Sequence, residues 1–439
     1  MSESGPEVST TPIPGLLVVR LTVHTDDRGW FKENWQRATM VSAGLPDFGP
    51  VQHNIAFNAS AGTTRGIHAE PWDKLVSVAT GRVFGAWVDL RAGDSFGATY
   101  TAELDPETAV FIPRGVANGY QTLEEGTAYS YLVNAHWSPD AEYANVNLAD
   151  ETVNIAWPLP LVEISDKDRD HPRLADVVPV PPRRTVILGA DGQLGRALQE
   201  ALPEALALTR TELDLADPST YDSVRWDDVD TIINAAAFTA VDAAETPDGR
   251  REAWAVNVTG VAALARIAIQ HRLTLVTVSS DYVFDGTQAE HTIDEPVSPL
   301  GVYGQTKAAG EAVTSTVPQH YIVRTSWVVG DGANFVATMQ RLARDGIRPQ
   351  VVDDQFGRLT TARELAEGIV ALLSSGSPYG IHHITGGGEP QSWADIARDV
   401  FVAEGRSAED VIGVSTESYG ADKQLAPRPQ HSTLAPRQP

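Results

Sequence analysis

The sequence predicts two unlike halves in one chain: an all-β half, then an α/β half built on a doubly wound parallel sheet. Three observations predict this. Residues 16–137 alternate apolar and polar side chains in the period-two manner of strands. The stretch Val177-Val-Pro-Val-Pro-Pro-Arg-Arg184 is proline-rich, free of helical periodicity and therefore stiff. Beyond it, short apolar runs alternate with helical patterns, the order that parallel strands and crossover helices require. Domains are accordingly expected at residues 1–178 and 185–439, joined by a linker at 179–184.

In the first half, strands are expected over residues 16–24, 51–58, 75–79, 83–90, 98–104, 109–112 and 128–137. A Thr80-Gly81 turn divides the third from the fourth, and Pro/Gly clusters separate the others, the pattern of a sandwich or barrel. The second half opens with a strand at 185–189 and a helix from Gln193. Strands at 231–236, 273–279 and 321–325 follow, separated by helices over 250–271 and near Lys307. Further helices are expected over 334–344, 362–374 and 393–403.

A net charge of −25 argues against nucleic acid and anionic membranes as partners, since both need a positive field. With no cysteine there can be no disulfide, thiolate nucleophile or Cys-based metal site, which fits a reducing compartment. The start, Met1-Ser-Glu-Ser-Gly-Pro-Glu7, lacks the basic and apolar segments of a signal peptide. No later apolar run is expected to span a bilayer, so the expected location is the cytoplasm.

Chemistry concentrates in a few places. The strand Thr185-Val-Ile-Leu runs into Gly189, Gly192 and Gly195 and then a helix, the pattern of a nucleotide clamp. A glycine at the strand end allows the sharp turn, the next lets backbone N–H groups approach a pyrophosphate, and the third lets the helix pack closely. Tyr303 and Lys307, four residues apart, share one face of a helix. A neighbouring cation lowers a phenol's pKa, so Tyr303 is expected to deliver a proton near neutral pH, with Lys307 also reaching a ribose hydroxyl. A half-buried Tyr and a solvated Lys would show the same spacing. Three strand ends favour the chemical reading: Ser279-Ser280-Asp281, Asn234-Ala235-Ala236 and Arg324-Thr-Ser-Trp327 all lie where open α/β sheets bind ligands. In the first half, Arg65-Gly-Ile-His68, Lys74, Tyr131 and Asp168 are the candidates, each also compatible with a structural role. No metal is expected there, because His68-Ala-Glu70 alone cannot fill a coordination shell.

Two resemblances sharpen these readings. Gly-Ala-Asp-Gly-Gln-Leu-Gly195, Asn234-Ala-Ala-Ala-Phe-Thr-Ala-Val-Asp, Ser-Ser280-Asp-Tyr-Val-Phe-Asp-Gly, Tyr303-Gly-Gln-Thr-Lys and Asp354-Gln-Phe-Gly357 resemble the dTDP-4-dehydrorhamnose reductases, extended short-chain dehydrogenases with a Rossmann-like fold, from about Thr185 to Leu434. The resemblance implies that Tyr303 and Lys307 are catalytic, with Ser280 as third member where the family usually has Thr. It implies that Gly189, Asp191, Gly192, Gln193, Leu194, Ala235 and Ala236 hold NADPH, with NADH tolerated. Asp214 falls at the adenosine side; Arg210, just after the expected second strand, is a cation placed to meet a 2′-phosphate, whereas Asp214 would instead favour an unphosphorylated ribose. Trp327 and Arg428 fall at the substrate side, with His431 where the family commonly has Asn. Mg2+ is left open in this half.

Asp26-Asp-Arg-Gly-Trp-Phe-Lys-Glu33, Arg65-Gly-Ile-His68, Lys74-Leu-Val, Phe111-Ile-Pro-Arg-Gly and Ser165-Asp-Lys-Asp168 resemble the dTDP-4-dehydrorhamnose 3,5-epimerases, metal-free cupin jelly rolls, from about Pro14 to Arg169. The resemblance implies His68 as base, Asp168 as its orienter, Lys74 at the enolate oxygen and Tyr131 as acid on the opposite sugar face. Arg28, Glu33 and Arg65 fall among substrate contacts, partly across a homodimer interface. The chain departs from the family at Glu70 for Gln, Gly85 for Asp, Asn118 for His, and throughout residues 132–137. The expected function is therefore 3,5-epimerisation of dTDP-4-dehydro-6-deoxy-D-glucose, then reduction of its C4 ketone. The alternatives are reduction alone, with the first half a nucleotide-binding or dimerisation module, and a non-catalytic NADP sensor. The intact Tyr303/Lys307 pair disfavours the last.

Overall fold

A computed structural model describes residues 5–139 and 141–435. The residues divide into two compact units, meeting in sequence between Pro182 and Arg183. The first four residues of the polar start read above lie outside the described residues.

The first unit is all-β, as the sequence predicts. Six strands form one antiparallel sheet in the order Glu7–Thr10, Leu17–Arg20, Thr108–Ile112, Lys74–Thr80, Thr127–Val133, Gln52–Asn58. Five form a second: Ala144–Asn145, Thr64–Ala69, Val116–Thr122, Val83–Asp89, Thr99–Leu104. Val76, Val78 and Val110 of the first sheet pack on Val83, Trp87 and Val116 of the second. Leu75, one residue out of phase, points to the other face and meets Met40, Leu45 and Phe48 around the helix Arg37–Ser42. The strand Lys74–Thr80 is thus covered on both faces. The expected strand at 16–24 is two strands, because Val23–Asp26 leaves the sheet to pair with Gly29–Lys32 in an exposed hairpin. The strand expected to reach residue 137 ends at Val133. Within the expected linker, Val180 exchanges backbone hydrogen bonds with Leu90 and Ala92 of the first unit, and Arg184 already begins a strand.

The second unit is a parallel sheet in the order Leu206–Leu208, Arg184–Leu188, Val229–Asn234, Thr274–Ser280, His320–Thr325, Gly380–His383. Alternate strand residues face opposite helix layers. Val186, Ile232 and Leu275 meet Leu264 and Ala268 of the helix Val261–His271. Ile187, Ile233 and Val276 meet Leu194 and Leu198 of the helix Gln193–Ala201 and Leu365 and Ile369 of the helix Ala362–Ser374. The strand order reverses at the first strand, with Leu206–Leu208 added on one side and Val229–Asn234 on the other, so a crevice opens at the carboxyl ends of Arg184–Leu188 and Val229–Asn234.

Two expectations need correction. The helix expected over 250–271 is three pieces, Pro247–Trp254, a π-helical turn Ala255–Gly260, and Val261–His271. The wide turn lets buried Asn257 reach the backbone of Phe238 and the hydroxyl of Thr306. This helical run, Pro247–His271, is also long and apolar enough by length and composition to cross a membrane, contrary to the sequence reading. Its apolar residues instead supply part of the core that covers the sheet.

Candidate active sites

In the second unit the crevice widens into a cavity of about 880 Å³. Gly189 sits at φ +77°, and a Cβ there would come within 2.9 Å of Ala236. A Cβ on Gly195 would overlap the carbonyl oxygen of Gly189, so that glycine sets the helix-to-strand distance. Gly192 differs: a Cβ there would meet only the Gly189 carbonyl, at 3.2 Å. It is the N-cap of the helix Gln193–Ala201, and no side chain caps that end, so the first-turn N–H groups are left for an anion. These features fit a dinucleotide pyrophosphate. Asp191, Gln193, Leu194, Ala235, Ala236 and Trp327 also line the cavity. So do Asp214 and Arg210, ion-paired to each other at 3.1 Å.

Tyr303 and Lys307 occupy the first two turns of the helix Val302–Thr314 and face the cavity beside Ser280. Lys307 Nζ donates to the Val278 carbonyl at 2.6 Å, and burial pulls its pKa down to about 8, with Glu311 opposing. Burial, then the Asp281 carboxylate, pushes Tyr303 up to about 12; its hydrogen bond with Ser280 opposes this. The expected lowering of the phenol's pKa is therefore not found, because desolvation outweighs the help its neighbours give. Asp281, missed as a site residue at the sequence level, is buried against Ser280 Oγ at 2.8 Å and pushed up to about 6 by that burial.

Trp327, at φ +46°, stacks on Trp393 with centroids 3.8 Å apart. A Cβ on Gly357 would come within 2.7 Å of that indole, which gives the Asp-Gln-Phe-Gly motif a packing reason. Arg428 is not brought to the cavity wall. Its guanidinium is held by Asp242 at 2.9 Å and the Ala426 carbonyl at 3.1 Å, and it hydrogen-bonds Tyr282, which packs edge-on to Tyr303.

In the first unit, His68, Lys74, Tyr131, Asp168 and Arg65 line one cavity of about 700 Å³. His68 projects from the five-stranded sheet, Lys74 and Tyr131 from the six-stranded one. Asp168 lies in the short helix Asp166–Arg169, whose N-cap Ser165 accepts from the Asp168 N–H. His68 Nε2 is 2.8 Å from Asp168 Oδ1. A carboxylate only accepts, so Nε2 carries the proton and Nδ1 keeps the lone pair. Burial works to raise the Asp168 pKa, but the His68 hydrogen bond and the Gly66 N–H outweigh it and hold it below the usual carboxylate range.

Lys74 Nζ is ion-paired with Glu70 and lies 4.8 Å from the Tyr131 ring centroid. Burial, then the Glu70 charge, raises the Tyr131 pKa, so the phenol stays protonated at neutral pH. Asn118 lines the same cavity and accepts from Tyr129 at 3.3 Å. Arg28 and Glu33 lie on or beside the exposed hairpin, outside this cavity, with Arg28 paired to Asp26. His171, also missed, is buried next to Asp168; the only hint in the sequence is its place three residues on.

Comparison with known protein families gives a match for each unit. Residues 10–176 match the family model of dTDP-4-dehydrorhamnose 3,5-epimerase, and residues 183–438 match that of the RmlD substrate binding domain. The first part is 48% identical to a "Protein RmlC homolog" of Streptococcus pyogenes, over 39% of this chain and 90% of that protein. The second is 40% identical to a dTDP-4-dehydrorhamnose reductase of Aggregatibacter actinomycetemcomitans, over 57% of this chain and 90% of that protein. It is also similar to the crystal structure of a Bacillus anthracis dTDP-4-dehydrorhamnose reductase in complex with NADP. That match has 33% identity and a TM-score of 0.54, and covers 58% of this chain and 91% of that one.

Proposed function

The chain belongs to the RmlD substrate binding domain family through residues 183–438 and to the dTDP-4-dehydrorhamnose 3,5-epimerase family through residues 10–176, and on that premise we propose a two-step enzyme. It epimerises dTDP-4-dehydro-6-deoxy-D-glucose at C3 and C5, then reduces the C4 ketone to give dTDP-L-rhamnose. The observation that carries this reading is that each unit has its own cavity with a complete acid–base set.

The C4 ketone acidifies the C–H bonds at C3 and C5. His68 Nδ1 takes a proton, Asp168 stabilises the imidazolium, and the electron pair moves onto the ketone oxygen, which Lys74 stabilises. Tyr131, on the opposing sheet, returns a proton from the other face, and Lys74 offsets the phenolate left behind. Repetition at the second carbon completes the epimerisation. In the second unit Ser280 hydrogen-bonds the ketone oxygen and Tyr303 donates the proton that turns it into a hydroxyl. Lys307 supplies the positive charge that makes this loss tolerable. NADPH, when bound, supplies the hydride; the glycine clamp would hold its pyrophosphate and Lys307 its ribose. The NADP complex of the Bacillus anthracis relative supports NADPH, with Arg210 the cation for its 2′-phosphate and Asp214 the group that would let NADH be tolerated. The cytoplasm is the expected location, and the first unit is the expected homodimer interface.

The test is to supply the 4-keto sugar nucleotide with NADPH and identify the product by NMR. The L-rhamno product is expected. A product reduced at C4 but unchanged at C3 and C5 would favour the reductase-only reading, with the first unit a binding module.

A further inference from the structure

His68, Asp168 and His171 each bring a potential ligand atom within 4.8 Å of the other two. Nε2 of His68 lies 2.8 Å, and Nε2 of His171 3.8 Å, from one oxygen, Asp168 Oδ1. The two imidazoles meet edge to face with centroids 5.1 Å apart. His171 is only 8% exposed, yet neither of its ring nitrogens has a hydrogen-bond partner among the described residues. A neutral imidazole offers one donor and one acceptor, and buried ones normally satisfy both.

We propose that His68, Asp168 and His171 bind a divalent transition-metal ion such as Zn2+, and that its binding switches off proton abstraction by His68. Two imidazoles and a carboxylate suit zinc, whereas Mg2+ and Ca2+ prefer oxygen alone. In a tetrahedral zinc site, with bonds of about 2.0–2.1 Å, ligand atoms stand roughly 3.3 Å apart. The 2.8 and 3.8 Å separations bracket that value. The Gly66 N–H holds Asp168 Oδ2, leaving Oδ1 to ligate, and the cavity leaves a fourth position to solvent.

The consequence follows from the ring protons. A metal on His68 Nε2 takes the lone pair there, so the single proton of the neutral ring must sit on Nδ1. Nδ1 is the atom assigned to receive the sugar's proton. The ion removes that proton-accepting site, so inhibition lowers turnover. Metal binding needs only the geometry; its effect on abstraction rests on His68 being the base.

The full chain, stripped with a chelator, is titrated with Zn2+ against a chromogenic chelator, and with Co2+ by visible absorption. One tight zinc per chain is expected, weakened by about 10-fold or more in His171→Phe and in His171→Leu. Both variants keep apolar bulk in the buried site, and retained circular dichroism shows that they fold. In heavy water, deuterium uptake into the 4-keto sugar nucleotide should stop in the parent at stoichiometric zinc and continue in both variants. Equal zinc affinity in parent and variants, or no tight zinc at all, overturns the site. Zinc bound in a His171-dependent way with undiminished uptake leaves the site standing and overturns His68 as the base.

Discussion

Lys307 is 7% exposed and Tyr303 forms part of the cavity wall, and burial works against the ionised form of both. The unfolded chain holds the Lys307 proton up to about 10.5, the native chain only to about 8. Between those values the unfolded state binds more protons, so native stability rises with pH across that window. Lys307→Met should remove this pH dependence and raise stability at pH 7 by about 1–3 kcal/mol in urea titrations, while abolishing reduction. In the parent, the reduction rate should fall as pH rises through about 8, where Lys307 loses its charge. Tyr303→Phe should lower turnover by about 10²-fold or more with NADPH affinity nearly unchanged, measured by steady-state kinetics and fluorescence titration. In the first unit the roles separate by isotope. His68→Ala should abolish deuterium uptake at C3 and C5, whereas Tyr131→Phe should still permit abstraction but impair reprotonation with inversion; full uptake in His68→Ala would remove it as base. Tyr303 and Lys307 were legible because a four-residue spacing survives into any helix. Asp281 and His171 were not, since their surroundings come from residues distant in sequence, as where Ser432 meets Asp281.

Strands were legible where apolar residues follow one another, as in Lys74–Thr80, or alternate with polar ones. Gln52–Asn58 alternates exposed His53, Ile55 and Phe57 with more covered residues, and its period shows in the sequence. Thr64–Ala69 and Val116–Thr122 were missed because the second is buried throughout and both carry polar residues inside. Gln121 donates to Thr64 Oγ1 and to the Leu159 carbonyl, both at 3.0 Å, and Thr122 donates to Ser60. Such internal hydrogen bonding erases the polar-out signal on which period-two reading depends. The glycine-rich turn is the opposite case, where three identical residues hide three different tasks. Gly195→Ala should destabilise the second unit by about 2 kcal/mol or more, since its Cβ has no room against backbone. Gly192→Ala, at an ordinary negative φ with one close neighbour, should cost under about 1 kcal/mol. It should nonetheless weaken NADPH about 10-fold, because a methyl group would stand where the pyrophosphate approaches. Loss of both stability and binding at Gly192 would show it to be a packing glycine too.

For the whole molecule, a net charge of −25 makes two copies repel, so self-association must be driven by apolar burial. The first unit offers a candidate face. Gln52–Asn58 is an edge strand with Ile55 62% and Phe57 64% exposed, and exposed Trp137 donates its backbone N–H to Gln52. An uncovered edge of this kind invites pairing with a second copy. The hairpin carrying Arg28 has the same character, with Phe31 69% exposed and its cation outside its own cavity. Both observations support a homodimer in which the hairpin serves a partner's epimerase cavity. Sedimentation should give twice the 47.2 kDa chain mass, with tighter association as salt screens the repulsion. Ile55→Asp/Phe57→Asp should then be monomeric. If the hairpin acts across the interface, the monomer should lose deuterium uptake while still consuming NADPH once an epimerised 4-keto sugar is supplied. A monomeric variant with full uptake would show that each first unit binds its nucleotide alone, and Arg28 and Glu33 would leave the list of substrate contacts.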